Sequence, residues 1–238
     1  MFPFLANNII DDLKGWSLKG YSIFFVAIAA MIIICISFES SWIEIVSSIT
    51  GVIGVILIAQ AKLSGYFYAI IATSTYAFIA YQYHFFGEAI AYAFLFLPLQ
   101  FIGYFHWFKN LRKDKNKKKV EVITKKLTTQ QTPLLITFTF ISIFIYALLM
   151  QKIGGHQPGL DSATAVLNVV GTLLMVLRYQ EQWLAWIAVN ITAIALWVLA
   201  VLENKNEGMA ILAMWTIYLI NSIYGYIVWR QKNKLEKI

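Results

Sequence analysis

Eight apolar runs constrain this chain more than anything else in it, because each is close to the ~20 residues that cross a ~30 Å hydrocarbon layer as a helix. They occupy roughly 21–38, 42–60, 64–83, 88–108, 132–151, 160–178, 182–202 and 207–229. At 60% hydrophobic and 13% charged residues, with a mean hydropathy of +0.68, the composition excludes a soluble domain of this size. Hydrocarbon offers backbone polar groups no partner outside their own segment, so the expected fold is an all-α polytopic membrane protein with eight transmembrane helices. Cys35 is the sole cysteine, so no intrachain disulfide forms, and no thiol motif accompanies it. Neither a metal nor a cofactor is expected. The first run ends in FESS without a small-residue cleavage site, which reads as a retained helix rather than a signal peptide. Ahead of it, DDLKGWSLKG reads as an amphipathic lead-in with Trp16 at headgroup level.

The net charge of +7 is gathered between the apolar runs instead of being spread among aromatics, which argues against nucleic acid as a partner. Eight crossings put both ends on one side. On that side fall Lys14, Lys19, Lys62, the cluster from Lys109 to Lys126, Arg178 and the tail from Arg230 to Lys237. Of nineteen Lys and Arg residues, only Lys152 and Lys205 fall opposite. The positive-inside rule therefore places both termini in the cytoplasm, and the basic run KNLRKDKNKKKVEVITKK reads as a solvated linker that fixes topology. Binding of anionic lipid headgroups is the alternative use of such a run.

The chain also repeats itself. A shift of 117 positions lays Gly54 on Gly171, Tyr66 on Trp183 and Ile70 on Ile187; a shift of 122 then lays GYFHW (103–107) on GYIVW (225–229). The expected organisation is a lead-in and extra helix (1–41), a three-helix bundle (42–108), a basic cytoplasmic linker (109–131) and a linker helix with its outer loop (132–159). A second three-helix bundle (160–229) and a cytoplasmic tail (230–238) follow. Since one helix separates the bundles, the two repeats run parallel, with a substrate held between them.

Candidate binding residues lie on stripes that face this junction. In RYQEQWLAWIAVNITAIALW, Trp183, Trp186, Asn190 and Trp197 share one helical face at i, i+3, i+7 and i+14. An Asn at that depth needs a partner. The last helix adds Trp215, Tyr218 and Asn221, with Tyr224 adjoining, and the fourth carries Tyr92, Phe96, Gln100, Gly103 and Trp107 on one face. Singly, such residues are interfacial belt aromatics or amides bonded to a neighbouring helix. Together, π faces beside amides suit a heteroaromatic ring bearing a sugar or amide, and no helix centre contains an ionisable side chain for proton coupling or for holding a phosphate. Cation–π attraction, worth on the order of 0.5 to 2 kcal/mol per ring, still allows an organic cation.

LDSATAVLN from Leu160, LMVLRYQEQWLAWIAVN from Leu173 to Asn190, the WxxW of Trp183 and Trp186, the NxxY of Asn221 and Tyr224 and the QxxG of Gln100 and Gly103 resemble the PnuC-type vitamin transporters, and among them the nicotinamide riboside transporters. The resemblance implies a SWEET-like fold of two triple-helix bundles and a linker helix. It implies facilitated uptake of the riboside across a bacterial inner membrane, trapping by a cytoplasmic riboside kinase, and a homo-oligomer, a trimer. It also implies substrate-binding roles for Gln100, Trp183, Trp186, Asn190, Trp215, Asn221 and Tyr224, to which the stripe adds Tyr218. Tyr66 and Ala69 stand where the first half would mirror the two tryptophans, so the pocket is expected to be asymmetric.

Three other readings compete. A transporter of thiamine or another heteroaromatic vitamin uses the same chemistry. An enzyme is suggested by the HxxxxD spacing of His156 and Asp161, although Asp161 reads better as the cap of the following helix. A sensor without transport would share the cavity.

Overall fold

The computed structural model describes residues 12, 16–82, 86–114, 119–152, 158–203 and 209–235. Among them, α1 spans Leu18–Ser37, α2 Trp42–Ala59 and α3 Gly65–Gln82; α4 is composite, with α-helical Phe86–Ala91, a π turn over Tyr92–Phe96 and α-helical Leu97–Phe108. A hairpin of β1 (Leu111–Asp114) and β2 (Lys119–Val122) follows, then α5 (Gln131–Lys152), α6 (Pro158–Val176), α7 (Gln182–Glu203) and α8 (Met209–Leu235). The apolar runs thus become helices with ends close to those expected, except that α8 continues to Leu235.

Local chemistry fixes these ends. Ser17 caps α1 by accepting from the backbone N–H of Gly20 at 3.2 Å. Ser41 and Glu44 form a capping box on α2, the Ser41 N–H donating to Glu44 Oε2 at 2.9 Å. α6 starts at Pro158, so Asp161 lies within its first turns instead of capping it; the Asp161 side chain and His156 are outside the described residues. In α4, Pro98 has no N–H for the carbonyl one turn earlier, and the wide π turn immediately before it takes up that mismatch.

Among the described residues, five helical stretches are long and apolar enough to cross a membrane: Leu18–Ser37, Trp42–Ala59, Ala89–Phe108, Gln131–Lys152 and Met209–Asn233. α6 and α7 add the shorter apolar stretches Ser162–Val176 and Gln182–Ala195. On α5 only Thr139 is buried, while Phe138, Phe140 and Phe144 stand well exposed. A helix apolar on all faces and bare on most of them is stable in lipid, not in water. The protein is a multi-pass membrane protein.

α2 packs against α3 and α8, α7 against α6 and α8, and α4 bridges α3 to α6. α1 lies on α2 and α8, and its Phe24, Met31 and Cys35 join the same core as Val52, Ile56 and Ile211. Trp16 is not a free interfacial anchor: it is buried against Tyr21 and Phe24, at ring separations of 5.6 and 5.3 Å. Asp12, ahead of α1, is held to the bundle as well: its carboxylate accepts from Ser64 N at 3.0 Å and lies 3.8 Å from Lys62 Nζ.

The 117-residue offset reappears as hydrogen bonding. α2 ends with Ala61 at φ 57°, where Ala61 N donates to Ile58 O (2.9 Å) and Lys62 N to Leu57 O (2.9 Å). α6 ends with Arg178 at φ 68°, where Arg178 N donates to Met175 O (3.0 Å) and Tyr179 N to Leu174 O (2.8 Å). Both are Schellman caps with a non-glycine residue in the left-handed region, a strained choice held by its surroundings.

Glycines bring helices together at matched places. A Cβ on Gly103 would run into the ring of Tyr66, and one on Gly225 would lie 2.6 Å from that of Trp183. Buried aromatic rings cannot yield that space, so Gly225→Ala is expected to cost about 1–3 kcal/mol by overpacking. A thermal-shift measurement on detergent-purified protein should show its melting temperature below the parent's; an unchanged value would mean that α8 has room to move away from α7.

The basic linker is the largest departure from expectation. Rather than a wholly solvated loop, it folds into the hairpin and then runs on against the bundle, with Val122 and Thr124 buried and an isolated parallel bridge from Lys125 to Tyr179. Val122 N donates to Ala61 O at 3.2 Å and Lys125 N to Arg178 O at 2.7 Å, so the segment joins the two Schellman-capped loops. The charges explain why the segment is solvated in part; backbone groups left unpaired by the two short loops explain why it adheres.

Candidate functional site

A cavity of about 140 Å3 lies among α2, α3, α4, α6, α7 and α8, roughly ten times the ~10–15 Å3 needed by one water. α2 and α3 present small residues to it: Ser47, Gly51, Gly54, Ala69, Ala72 and Thr73. α7 and α8 present Trp183, Trp186, Asn190, Trp215, Tyr218, Asn221 and Ser222, and α4 adds Tyr92, Phe96 and Gln100. No Asp, Glu, Lys, Arg or His lines it among the described residues.

The asymmetry of the walls has a local cause. Trp186 lies with its indole 3.2 Å from where a Gly171 Cβ would be. Its counterpart by the 117-residue offset is Ala69, whose backbone N lies 3.2 Å from where a Gly54 Cβ would be. In one place glycine makes room for an aromatic face, and in the other for direct helix approach. A bulky aromatic wall therefore faces a wall of small residues.

At one end of the cavity, Tyr76 on α3 lies 4.4 Å from Tyr92 and 6.4 Å from Trp215 between ring centroids, and Trp215 meets Tyr218 edge-on at 5.5 Å. The π turn of α4 sets Tyr92 beside Phe96 at 5.0 Å. At the other end, Trp183 meets Trp229 edge-on at 5.9 Å, below which Trp107 and Tyr66 pack at 5.0 Å.

Polar groups complete the lining. Asn190 has the partner its depth demands: its Nδ2 donates to Ser222 Oγ at 2.9 Å, and Ser222 Oγ donates to Tyr218 O at 2.8 Å. Asn221 Nδ2 donates to Val55 O at 2.9 Å, fixing α8 to α2. Several buried polar atoms around the cavity have no partner in the protein: Trp183 Nε1 and Trp215 Nε1 as donors, Gln100 Oε1 and Asn221 Oδ1 as acceptors, and Ser47 Oγ. Leaving a buried polar atom unpaired costs about 1–3 kcal/mol, so such a group favours a complementary ligand. Outside the spans, burial holds the pKa of the Arg178 guanidinium below its ordinary value.

Of the eight residues expected to bind substrate, all but Tyr224 line the cavity. Tyr224 instead accepts a hydrogen bond from Gln60 Nε2 at 2.8 Å, tying α8 to the end of α2. Trp197, on the same predicted stripe as Trp183, is buried in the core farther along α7.

The family described as "Nicotinamide mononucleotide transporter" matches residues 41–231, which takes in every described residue lining the cavity. The chain belongs to this family. It is 36% identical over 221 residues to the nicotinamide riboside transporter PnuC of Haemophilus influenzae, covering 92% of each chain. It is 35% identical over 189 residues to that of Neisseria mucosa, covering 79% of this chain and 72% of the relative. A solved structure described as the vitamin B3 transporter PnuC superposes with a TM-score of 0.85 at 31% identity, covering 93% of this chain and 94% of that one. A PnuC-family chain is a transporter and not an enzyme, and the cavity is its candidate substrate site.

Sequence periodicity passed over part of this PnuC-family lining. Ser47, Thr73, Tyr76, Asn168, Thr172, Met175, Met214 and Ser222 belong to it as well. The signal for Thr73 and Tyr76 was their i, i+3 spacing on α3, which matches Asn190 at the 117-residue offset of Thr73. Small hydroxyl residues in an apolar helix are otherwise indistinguishable from ones that bond their own backbone, as Thr50 Oγ1 does to Val46 O at 2.6 Å.

Proposed function

We propose that this chain is a facilitator for nicotinamide riboside, taking the vitamin B3 nucleoside into the cell along its electrochemical gradient. The observation that carries the reading is the uncharged cavity of aromatic faces and unpaired amide atoms. It belongs to a chain whose relatives are named as nicotinamide riboside transporters. The nicotinamide ring stacks on Trp183 and Trp186, and Gln100, Asn190, Trp215, Tyr218 and Asn221 supply the remaining faces and polar contacts. Tyr224 acts from outside the lining, by holding α2 and α8 together.

The family's description names the mononucleotide and the relatives' names the riboside; the lining favours the riboside. A phosphate brought into a low-dielectric site requires a cation or a cluster of donors, and among the described residues the lining offers no Lys, Arg or His. Thiamine, also a cationic heteroaromatic, is the second reading. Uptake of labelled nicotinamide riboside by a strain lacking its own carriers tests the assignment. Unlabelled riboside should compete, while thiamine and the mononucleotide should not; competition by thiamine alone would transfer the function to that vitamin.

The architecture that fits this role is SWEET-like. It has an extra helix (1–41), bundles at 42–108 and 160–229, a basic linker (109–131), a linker helix with its outer loop (132–159) and a tail (230–238). The repeated Schellman caps support it. The charge distribution supports cytoplasmic termini in a bacterial inner membrane. A reporter fused after Ile238 is expected to read cytoplasmic and one inserted near His156 external; the reverse result would exchange the two sides. A trimeric assembly and trapping by a cytoplasmic riboside kinase complete the proposal on family resemblance.

A further inference from the structure

Below the cavity, two tryptophans make crossed hydrogen bonds. Trp107, at the end of α4, donates its indole N–H to Met175 O at the end of α6, at 2.9 Å. Trp229, on α8, donates to Ala59 O at the end of α2, at 3.1 Å. Each bond thus runs from one helix triplet to the other, and the donors are counterparts at the 122-residue offset. Both indoles are fully buried, and their rings lie 5.7 Å apart.

We propose that Trp107 and Trp229 form a paired latch that keeps the cavity closed on the side of the linker, and that substrate leaves to that side only when both indole–carbonyl bonds part. The proposal rests on the transport reading above. Three observations connect the latch to the cavity. Met175, whose carbonyl accepts one bond, itself lines the cavity; Ile58, next to the acceptor Ala59, also lines it; and Trp183, another lining residue, packs edge-on against Trp229. Separating the triplets at this end therefore moves the cavity floor.

The two bonds act together because they share a geometry. With the donors on α4 and α8 and the acceptors on α6 and α2, a rotation that opens one gap lengthens the other bond as well. An indole N–H separated from its carbonyl while still buried is left unpaired, so partial opening is disfavoured and the closed arrangement is kept until a full opening admits solvent. The linker reinforces the same end, since residues 122–125 bond Ala61 O on one triplet and Arg178 O on the other. At the opposite end the triplets meet through aromatic edges such as Tyr76 with Trp215, at 6.4 Å between ring centroids.

A sided labelling experiment tests the latch. In a Cys35→Ser background, Ala72→Cys places one thiol in the cavity lining, and a membrane-impermeant maleimide is applied to vesicles from the linker side or from the opposite side. Trp107→Phe and Trp229→Phe keep most of the ring and remove the N–H. Each should raise the rate of labelling from the linker side about two- to tenfold, which is the loss of one ordinary hydrogen bond, and the pair should raise it further. Labelling from the opposite side should fall or stay unchanged. Equal increases from both sides would show that the tryptophans only stabilise the fold, and unchanged labelling would show no latch; either result overturns the proposal. Should one variant fail to accumulate, the other decides by itself, since either bond should hold the same gate. Parallel riboside uptake separates the two readings: a parent that does not transport sinks the proposed function, whereas a transporting parent with variants unaltered in sided labelling sinks the latch alone.

Discussion

Proteoliposomes given an inside-negative potassium diffusion potential of about 100 mV are expected to accumulate nicotinamide riboside roughly fifty-fold over vesicles clamped at zero. The pyridinium ring carries a positive charge, and no carboxylate lines the cavity among the described residues, so the charge crosses the field uncompensated. One elementary charge moved through 100 mV gains about 2.3 kcal/mol, which is the fifty-fold ratio at equilibrium. Initial uptake should be faster as well. With the voltage held at zero, a proton gradient of either sign should change little, because no Asp, Glu, Lys, Arg or His lines the cavity among the described residues. Uptake that ignored voltage and followed pH would require a coupled proton and would end the facilitator reading.

The second large effect is expected at Trp186 and Asn190. Trp186→Ala removes the aromatic face that Gly171 makes room for, and Asn190→Leu removes an amide whose Nδ2 is held by Ser222 Oγ at 2.9 Å. Losing a ligand stack or a buried polar partner costs about 1–3 kcal/mol, so each variant should weaken riboside binding by roughly five- to 150-fold. Trp186→Phe should recover part of the loss, since it restores a smaller π face. Binding measured calorimetrically on purified protein, with melting temperature as a control, distinguishes a lost contact from a damaged fold. Parent-like binding by both alanine and leucine variants would place the site elsewhere; His156→Ala should leave binding and uptake intact.

Much of this protein is legible in its sequence because a bilayer permits few solutions. A run of about twenty apolar residues must satisfy its own backbone, so it becomes a helix wherever it lies, and the boundaries follow from where polarity returns. The capping box at Ser41 and Glu44 shows the same local determination at finer scale. Helical periodicity also placed Trp183, Trp186, Asn190, Trp215, Tyr218 and Asn221 on usable faces, since side-chain direction along a regular helix depends only on spacing.

Tertiary structure decided the rest, wherever two separate segments had to meet. Tyr224 shares its helix with Asn221, yet it accepts from Gln60 across the bundle, because the hydrogen-bond partner of a side chain is chosen by the neighbouring helix and not by its own. Ser47 and Tyr76 enter the cavity wall from the first triplet only once packing sets α2 and α3 opposite Trp215 and Tyr218. The basic linker is the clearest case. Its charges were readable as a marker of topology, but its adhesion depends on the carbonyls of Ala61 and Arg178, left free by two left-handed helix ends 117 residues apart. Composition determines which segments lie in lipid; the unpaired backbone groups that remain after they pack determine what is drawn across them.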